Sequence, residues 1–205
     1  MPTSEPRASA ATPEQILSAA TRLFSARGVG GTSLKDVADA VGIRKQSLLY
    51  HFPSKEELRQ AVLEHLLARW NDVLPRLLMA ATSGEDQFDA VLAETVEFFA
   101  ADPDRARLLL RELLDRPDHV RALLPTHVRP WVEAVSRAIR KGIERGTTAP
   151  RVDPEAYVVA LINLVLSTIA TADCLTALAD RRRLLAELAR IAKASLLAPT
   201  AREDL

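Results

Sequence analysis

Apolar residues recur at helical spacing along most of the chain, and two short amphipathic segments near its start are separated by a brief turn. The first segment has apolar residues at positions i, i+3, i+4 and i+7, namely Leu34, Val37, Ala38 and Val41. Residues with this spacing share one face of a helix, which we predict over residues 33–40. Gly42 follows, where a chain reversal with positive φ suits glycine. A second helix is predicted over residues 44–51.

This second helix has an apolar side centred on Leu48 and an opposite side that is polar and cationic. The outward residues at its N-terminal end are Arg44, Lys45, Gln46 and Ser47. Arginine and lysine can pair with guanine N7 and O6, and glutamine with adenine N6 and N7, from the start of a helix in a major groove. Donors suited to phosphate oxygens follow at Tyr50, His51 and Lys55. The pattern predicts a DNA-binding helix-turn-helix.

A preceding helix completes a three-helix domain, predicted over residues 12–54. Thr12 is its N-cap, Pro13 takes the first helical position and Gln15 completes a capping box. The inward face of this helix comprises Ile16, Leu17, Ala20, Leu23 and Phe24. Residues 1–11 are polar, contain proline and lack periodicity, so we expect a disordered tail.

The remainder, residues 55–200, has the pattern of a second domain made of helices. A long helix opens with Ser54 and Glu57 as a capping box and continues towards Leu74. It begins beside the predicted DNA-reading helix and ends in the second domain. We therefore expect it to connect the two mechanically.

The most apolar part of the chain lies in a helix predicted at about residues 154–178, which has no charged residue from Ala156 to Ala172. A helix that is apolar all round must be covered on both sides. We predict that a second copy covers one side, through this helix and the last one, at about 180–197. A membrane span needs about 20 apolar residues. The apolar run is shorter and is interrupted by Asn163 and other polar residues, so no membrane association is predicted.

The stretch TSLKDVADAVGIRKQSLLYHFPSKEEL resembles the DNA-binding signature of TetR-family transcriptional regulators, and the likeness covers about the first quarter of the chain. It implies an all-α fold, with an N-terminal helix-turn-helix domain and a C-terminal helical domain for ligand binding and dimerisation. The base-reading positions would be Arg44, Lys45, Gln46 and Ser47. The phosphate-contacting positions would be Thr32, Ser33, Tyr50, His51 and Lys55.

Leu49 departs from the family pattern, because many members carry at this position a tyrosine that reaches DNA. That contact cannot be carried over as a hydrogen bond. One hypothesis is that Leu49 meets a thymine methyl group. The alternative is that it packs inward.

Composition is compatible with this interpretation. The chain has 205 residues, of which 48% are hydrophobic and only 4% aromatic. Leucine and alanine carry the apolar content, which favours helices over sheets. Residues 1–55 hold seven Lys or Arg against four Asp or Glu, a weak excess of positive charge in the predicted DNA-binding part. With the single Cys174 and no charged-then-apolar leader, we expect a cytoplasmic protein without an internal disulfide.

The TetR resemblance also implies that a small-molecule effector binds among the middle helices. Candidate residues facing that interior are Trp70, Phe98, Phe99, Leu109, Leu113, Trp131 and Asn163. Apolar residues at helical spacing are also what a plain core contains. Asn163 is the most informative candidate, because a buried amide needs hydrogen-bond partners: a ligand, a water or its symmetry mate.

No arrangement that would support catalysis or metal binding is visible. Histidines 51, 65, 119 and 127 do not have metal-ligand spacing, and the glycines of residues 28–31 follow no strand. We therefore predict no catalytic residue, metal or cofactor. The leading hypothesis is a dimeric, ligand-responsive regulator, most often a repressor, on a palindromic double-stranded DNA operator. The alternatives are an all-α enzyme and an architectural DNA-binding protein without an effector.

Overall fold

The computed structural model of the chain describes residues 11–80 and 84–197, without the side chains of residues 72–80 and 84–87. The described residues form ten helices and no strand element, so the predicted all-α class is confirmed. The helices are α1 Pro13–Arg27, α2 Leu34–Ala40, α3 Lys45–His51, α4 Lys55–Ala80, α5 Gly84–Ala100, α6 Pro103–Asp115, α7 Pro117–His127, α8 Arg129–Glu144, α9 Pro154–Leu175 and α10 Arg181–Leu196. The predicted disordered tail lies outside the described residues except for Ala11.

The chain divides into two compact units, and the first is Met1–Leu66. It contains α1 to α3 and the first turns of α4. Fully buried apolar side chains form its core, including Ile16, Ala20, Phe24, Val37, Leu48 and Leu58. The predicted domain boundary at residue 54 marks the start of α4, whereas the compact unit also includes the α4 residues up to Leu66.

The helix starts in the first unit are set by side-chain caps. The Thr12 hydroxyl accepts a bond from the Gln15 backbone N–H at 3.3 Å, and the Gln15 side chain accepts one from the Thr12 N–H at 2.9 Å. Ser33 and Asp36 form the same reciprocal arrangement at the start of α2. Each box satisfies backbone donors that a helix terminus would otherwise leave unpaired. The predicted start of α1 is thus confirmed.

The turn between α2 and α3 depends on Gly42, which has a φ of +70°. Beside it, the Ile43 backbone N–H donates to the Ala38 carbonyl at 3.0 Å and closes the end of α2. L-residues with a side chain rarely adopt this left-handed region because their Cβ crowds the following carbonyl. The positive φ predicted for this glycine is confirmed.

The second compact unit is Leu67–Leu205. An aromatic cluster lies in its core, with the Trp70 ring centroid 5.2 Å from Phe98, 6.0 Å from Phe99 and 5.7 Å from Trp131. The apolar helix α9 begins at the cap Asp153, whose carboxylate accepts two backbone N–H bonds. It packs against α5, α6, α8 and α10.

One part of α9 is left uncovered in the single chain. Among the described residues, α9 is the helix that is long and apolar enough to cross a membrane. Core helices of soluble proteins can pass the same test. In the single chain, 28% of the most apolar window of α9 is buried. The exposed side includes Val159 and Leu164, which are 47% and 39% exposed. An incompletely covered apolar side is what the sequence pattern predicted for this helix.

Replacing Gly42 with alanine should destabilise the first unit by about 1–2 kcal/mol, through the backbone alone. An added Cβ at this position would meet no atom within 4 Å. Native-state hydrogen exchange of the α2 and α3 amides measures the effect. Gly30→Ala is the control, because Gly30 lacks both a positive φ and any atom within 4 Å of an added Cβ. An equal loss in both variants would contradict the assigned role of the left-handed turn.

Candidate functional site

The exposed side of α3 is the candidate DNA-reading surface. Arg44 is its N-cap residue, with extended backbone angles, and α3 itself has seven residues. Leu48 is completely buried, while Arg44, Lys45, Gln46 and Ser47 are all exposed. The four predicted base-reading side chains therefore lie together at the solvent-facing start of one helix. This placement allows the proposed contacts, whose occurrence stays a prediction.

The end of α3 presents two further polar side chains to solvent. Tyr50 is 86% exposed and its ring lies edge-on to the exposed His51 ring, with centroids 5.4 Å apart. Leu49 is half-buried. An intermediate exposure is compatible with either hypothesis for this leucine, so the thymine contact stays a prediction.

The two hydroxyl residues before α2 differ in accessibility. Ser33 is exposed, and hydrogen bonds donated by its hydroxyl and its backbone N–H lower the pKa of the Asp36 carboxyl below its ordinary value. Thr32 is only 1% exposed. Its hydroxyl lies 3.0 Å from the Gly28 carbonyl and 3.3 Å from that of Leu23, to which it donates. Because the Thr32 hydroxyl is used inside the fold, the phosphate contact expected for this side chain is not supported by its position.

Lys55 has a structural contact that the sequence did not reveal. Its Nζ donates to the Val29 carbonyl at 3.0 Å and to the Thr32 carbonyl at 3.2 Å. These bonds join the start of α4 to the loop between α1 and α2. An ammonium group has three N–H donors, so one of them remains for a phosphate oxygen. Lys55 can position the loop and still contact DNA.

The second unit contains a cavity of about 90 Å³. Its walls come from α4, α5, α8, α9, the end of α10 and the loop after α8. The lining residues are Trp70, Phe88, Val91, Leu92, Thr95, Trp131, Val135, Ala138, Ile139, Gly142, Thr147, Thr148, Tyr157, Val158, Leu161, Ile162, Leu196 and Leu197. We refer to it as the central cavity.

Only part of the predicted effector set lines this cavity. Trp70 and Trp131 do, but Phe98 and Phe99 are buried against Trp70 without lining it, and Leu109 and Leu113 also lie elsewhere. Helical periodicity identified these residues as inward-facing, yet it could not say which of them border empty space.

Asn163 does not line the central cavity, so its expected role in effector binding is not supported, whereas pairing with its symmetry mate stays a prediction. Its side chain is exposed, and the Nδ2 group donates to the Val159 carbonyl one turn earlier, at 2.8 Å. In the single chain this bond satisfies one of the two amide N–H groups without a buried partner. Asn163 is therefore not part of the central cavity.

Two hydroxyl groups on the cavity wall already have acceptors. Thr95 donates to the Val91 carbonyl at 2.6 Å, and Tyr157 donates to the Ala192 carbonyl at 2.6 Å. Burial raises the pKa of the Tyr157 phenol, which keeps this hydroxyl neutral. Sequence analysis missed Tyr157, although a single tyrosine within a strongly apolar helix was a usable signal.

The loop after α8 and the end of α10 close one wall. Thr147 and Thr148 donate their backbone N–H groups to the Gly142 carbonyl at 2.9 and 3.2 Å, and the Ala149 N–H donates to the Leu196 carbonyl at 2.9 Å. Gly142 has no room for a side chain, since an added Cβ would lie 2.3 Å from the Thr148 hydroxyl oxygen. Contacts between residues so far apart in sequence leave no periodic signal.

Within the described ranges, no group of three or more His, Cys, Asp or Glu side chains is placed to hold a metal ion. The described lining of the central cavity consists of apolar residues, two tryptophans and hydroxyl residues. The two candidate sites, an exposed cationic helix start and an apolar cavity, lie in different compact units.

Comparison with known proteins identifies the family. The family model described as "Bacterial regulatory proteins, tetR family" matches residues 16–62, and that described as "Tetracyclin repressor-like, C-terminal domain" matches residues 109–193. The HTH-type transcriptional regulator RutR of Escherichia coli (strain K12) is 32% identical over 156 residues, which cover 73% of this chain and 69% of RutR. The HTH-type transcriptional repressor KstR2 of Mycolicibacterium smegmatis is 26% identical over 147 residues, 68% of this chain and 69% of KstR2.

A solved structure concerning the molecular basis for control of antibiotic production by bacterial hormones superposes with a TM-score of 0.70. It is 30% identical and the match covers 91% of this chain and 97% of that one. The helix-turn-helix geometry, the two family models and these relatives lead to one conclusion: the chain belongs to the TetR family of transcriptional regulators.

Proposed function

We propose that this TetR-family regulator binds a palindromic operator as a homodimer, and that a small molecule in the central cavity releases it. The observation that carries the proposal is the start of α3, where Arg44 to Ser47 are exposed and Leu48 is fully buried. A helix held in this way can enter a major groove without unfolding its own domain. Acting on DNA places the protein in the cytoplasm.

The proposed contacts fall into two classes with different consequences. Arg44, Lys45, Gln46 and Ser47 would read base edges and so determine sequence preference. Ser33, Tyr50, His51 and Lys55 would hold phosphates, which fixes register and adds affinity without reading sequence. Thr32 is left out of this set because its side chain is buried and its hydroxyl donates within the fold. Ser33 is kept because it is exposed, although its hydroxyl would have to turn from the Asp36 carboxylate to donate to a phosphate.

Dimerisation would use the uncovered side of α9 together with α10. Val159, Leu164 and Ile191 are 47%, 39% and 46% exposed in the single chain. Pairing these surfaces about a two-fold axis would bury apolar groups and present α3 twice. Two recognition helices related in this way read half-sites about one turn of DNA apart.

Ligand control is supported by the central cavity and by the relatives. One solved structure, 30% identical to this chain, concerns the control of antibiotic production by bacterial hormones. A second relative, KstR2, is named a repressor. A ligand that prefers the conformer with wrongly spaced α3 helices would weaken operator binding, and DNA would weaken ligand binding by the same factor. We propose α4 as the link, since it carries Lys55 in the first unit and Trp70 in the second.

Lys45 should determine sequence preference. Lys45→Ala should cost about 1–3 kcal/mol on a specifically bound duplex and much less on a scrambled duplex, because a base contact is lost. Fluorescence anisotropy titrations on both duplexes measure it. Arg145→Ala removes an exposed cation of the second unit and serves as the control. Equal losses on the two duplexes would show that Lys45 only positions the protein.

Lys55 should behave differently. Replacement by methionine keeps most of the aliphatic stem but removes the ammonium group, so affinity should fall alike on specific and scrambled duplexes. The slope of log affinity against log salt should decrease by about one, as expected for the loss of one phosphate contact. A loss confined to the specific duplex, with an unchanged salt slope, would contradict the phosphate contact and would leave Lys55 the role of positioning the loop before α2.

The dimer surface can be tested by introducing a charge. Leu164→Glu should raise the dimer dissociation constant by about 100-fold or more, since each interface would bury an unpaired carboxylate. Leu114→Glu is the matched control, because Leu114 is 80% exposed on α6, outside the proposed surface. Sedimentation equilibrium measures the dimer dissociation constant of both variants. If Leu114→Glu dissociates the protein and Leu164→Glu does not, the interface has been assigned to the wrong helices.

A further inference from the structure

We infer that small molecules enter and leave the central cavity between the loop after α8 and the last turn of α10, residues 193–197, which we call the latch. The inference rests on the proposed ligand response and adds the route by which a ligand reaches its site. Three observations carry it: the packing of the other walls, the link between the latch and the loop, and the point at which α10 is held to α9.

Much of the cavity wall cannot move without separating packed helices. Lining residues from α4, α5, α8 and α9 that are at most 7% exposed are Trp70, Leu92, Trp131, Ile139 and Val158. Displacing one of these helices would disrupt close-packed apolar contacts. Local opening in proteins instead involves segments with few such contacts, as at the frayed end of an element. The last turn of α10 is such a segment.

The link between the latch and the loop is an isolated antiparallel bridge between Leu197 and Thr148. Beside it, the Ala149 N–H donates to the Leu196 carbonyl at 2.9 Å. Leu196 is the last residue of α10, so its carbonyl has no N–H partner inside the helix. Water can replace the Ala149 N–H when the bridge opens. The preceding turns of α10 can therefore stay intact.

The loop side of this link is fixed to α8. The Gly142 carbonyl accepts the backbone N–H groups of Thr147 and Thr148 at 2.9 and 3.2 Å. The buried Thr148 side chain lies so close to Gly142 that a Cβ added there would be 2.3 Å from the threonine hydroxyl oxygen. We therefore assign the movement to the latch.

Ala192 marks the boundary between the fixed and the movable parts of α10. Its carbonyl accepts the Tyr157 hydroxyl at 2.6 Å, which holds this residue to α9. Beyond it, the Lys193 Nζ lies 2.8 Å from the Asp89 carboxylate of α5, in a partly exposed ion pair. Such pairs contribute little to stability. The latch can open beyond Ala192 while the rest of α10 stays packed on α9.

Leu196 closes the cavity when the latch is shut. Its side chain is buried and lines the cavity, and Leu197 lines it as well. Opening removes both side chains from the wall, which creates a passage. Exposure of the Leu196 side chain to water opposes opening, so the shut form dominates. The latch thus controls the rate of exchange and leaves the rest of the wall in place.

The test measures access to the cavity with a thiol reagent and uses neither DNA nor an effector. In the full chain, Cys174→Ser removes the exposed native thiol, and Val158→Cys places a buried thiol on the cavity wall away from the latch. Uncharged methyl methanethiosulfonate transfers its methylthio group to this thiol, and mass spectrometry follows the rate. Unfolding in urea, measured for each variant, gives the labelling that global unfolding alone would allow.

Two leucines of the cavity wall form the decisive comparison, because Leu196 and Leu92 are 4% and 5% exposed. Leu196→Ala should accelerate labelling by about tenfold or more, since the contacts that it removes exist in the shut latch and are lost on opening. Leu92→Ala makes the same deletion in α5, which stays packed when the latch opens. It should accelerate labelling much less.

A second comparison leaves the core untouched and decides the matter if an alanine variant fails to fold. Lys193→Met removes the ion pair with Asp89 and should accelerate labelling by about two- to fivefold. Arg140→Met is the matched control, because it removes the partly exposed ion pair with Glu155 between α8 and α9, outside the latch. It should leave the labelling rate unchanged.

Three results would overturn the inference: equal acceleration within either pair of variants, greater acceleration in the control of either pair, and labelling no faster than global unfolding allows in every variant. Failure of the proposed function would look different. The latch variants would then label as expected, while no small molecule that protects the introduced thiol changed affinity for operator DNA. Conversely, release of DNA by such a molecule, with equal labelling within each pair, would refute the latch alone.

Discussion

The DNA-reading surface depends on the burial of one leucine. A helix of seven residues is not stable alone in water, because nucleation is costly and few backbone bonds repay it. Leu48 is the α3 residue that is fully buried, and burying a leucine contributes about 1.5–3 kcal/mol. The buried Leu48 and the left-handed turn at Gly42 together orient α3. The cationic residues at the start of α3 are therefore exposed to solvent.

Polar contacts around the neighbouring loop reinforce this arrangement. The Thr32 hydroxyl bonds carbonyls at the end of α1, and the Lys55 ammonium bonds carbonyls in the loop that leads to α2. Hydrogen bonds to a charged group are stronger than neutral ones. Thr32 and Lys55 match DNA-contacting positions of the family, and both also hold the loop that leads into the helix-turn-helix. Lys55 therefore stabilises the fold of this domain and also belongs to its proposed DNA-binding surface.

Local signals in the sequence predicted the first unit well. The Thr12 capping box, the positive φ of Gly42 and the single inward leucine of α3 each follow from interactions within a few residues. The central cavity could not be predicted in this way. Its wall joins Gly142 and Thr148 to Leu197, and helical periodicity does not specify which distant elements meet. The position of Asn163 outside the central cavity has a related reason: a polar residue among apolar neighbours can face either way around a helix.

Presentation of two copies of α3 by a symmetric dimer is the central claim, and selection of bound duplexes from a random pool by the purified full chain tests it most directly. We predict that the enriched duplexes share an inverted repeat, whose half-sites are about ten base pairs apart from centre to centre. Enrichment of a single asymmetric site, or no enrichment above the starting pool, would contradict the claim.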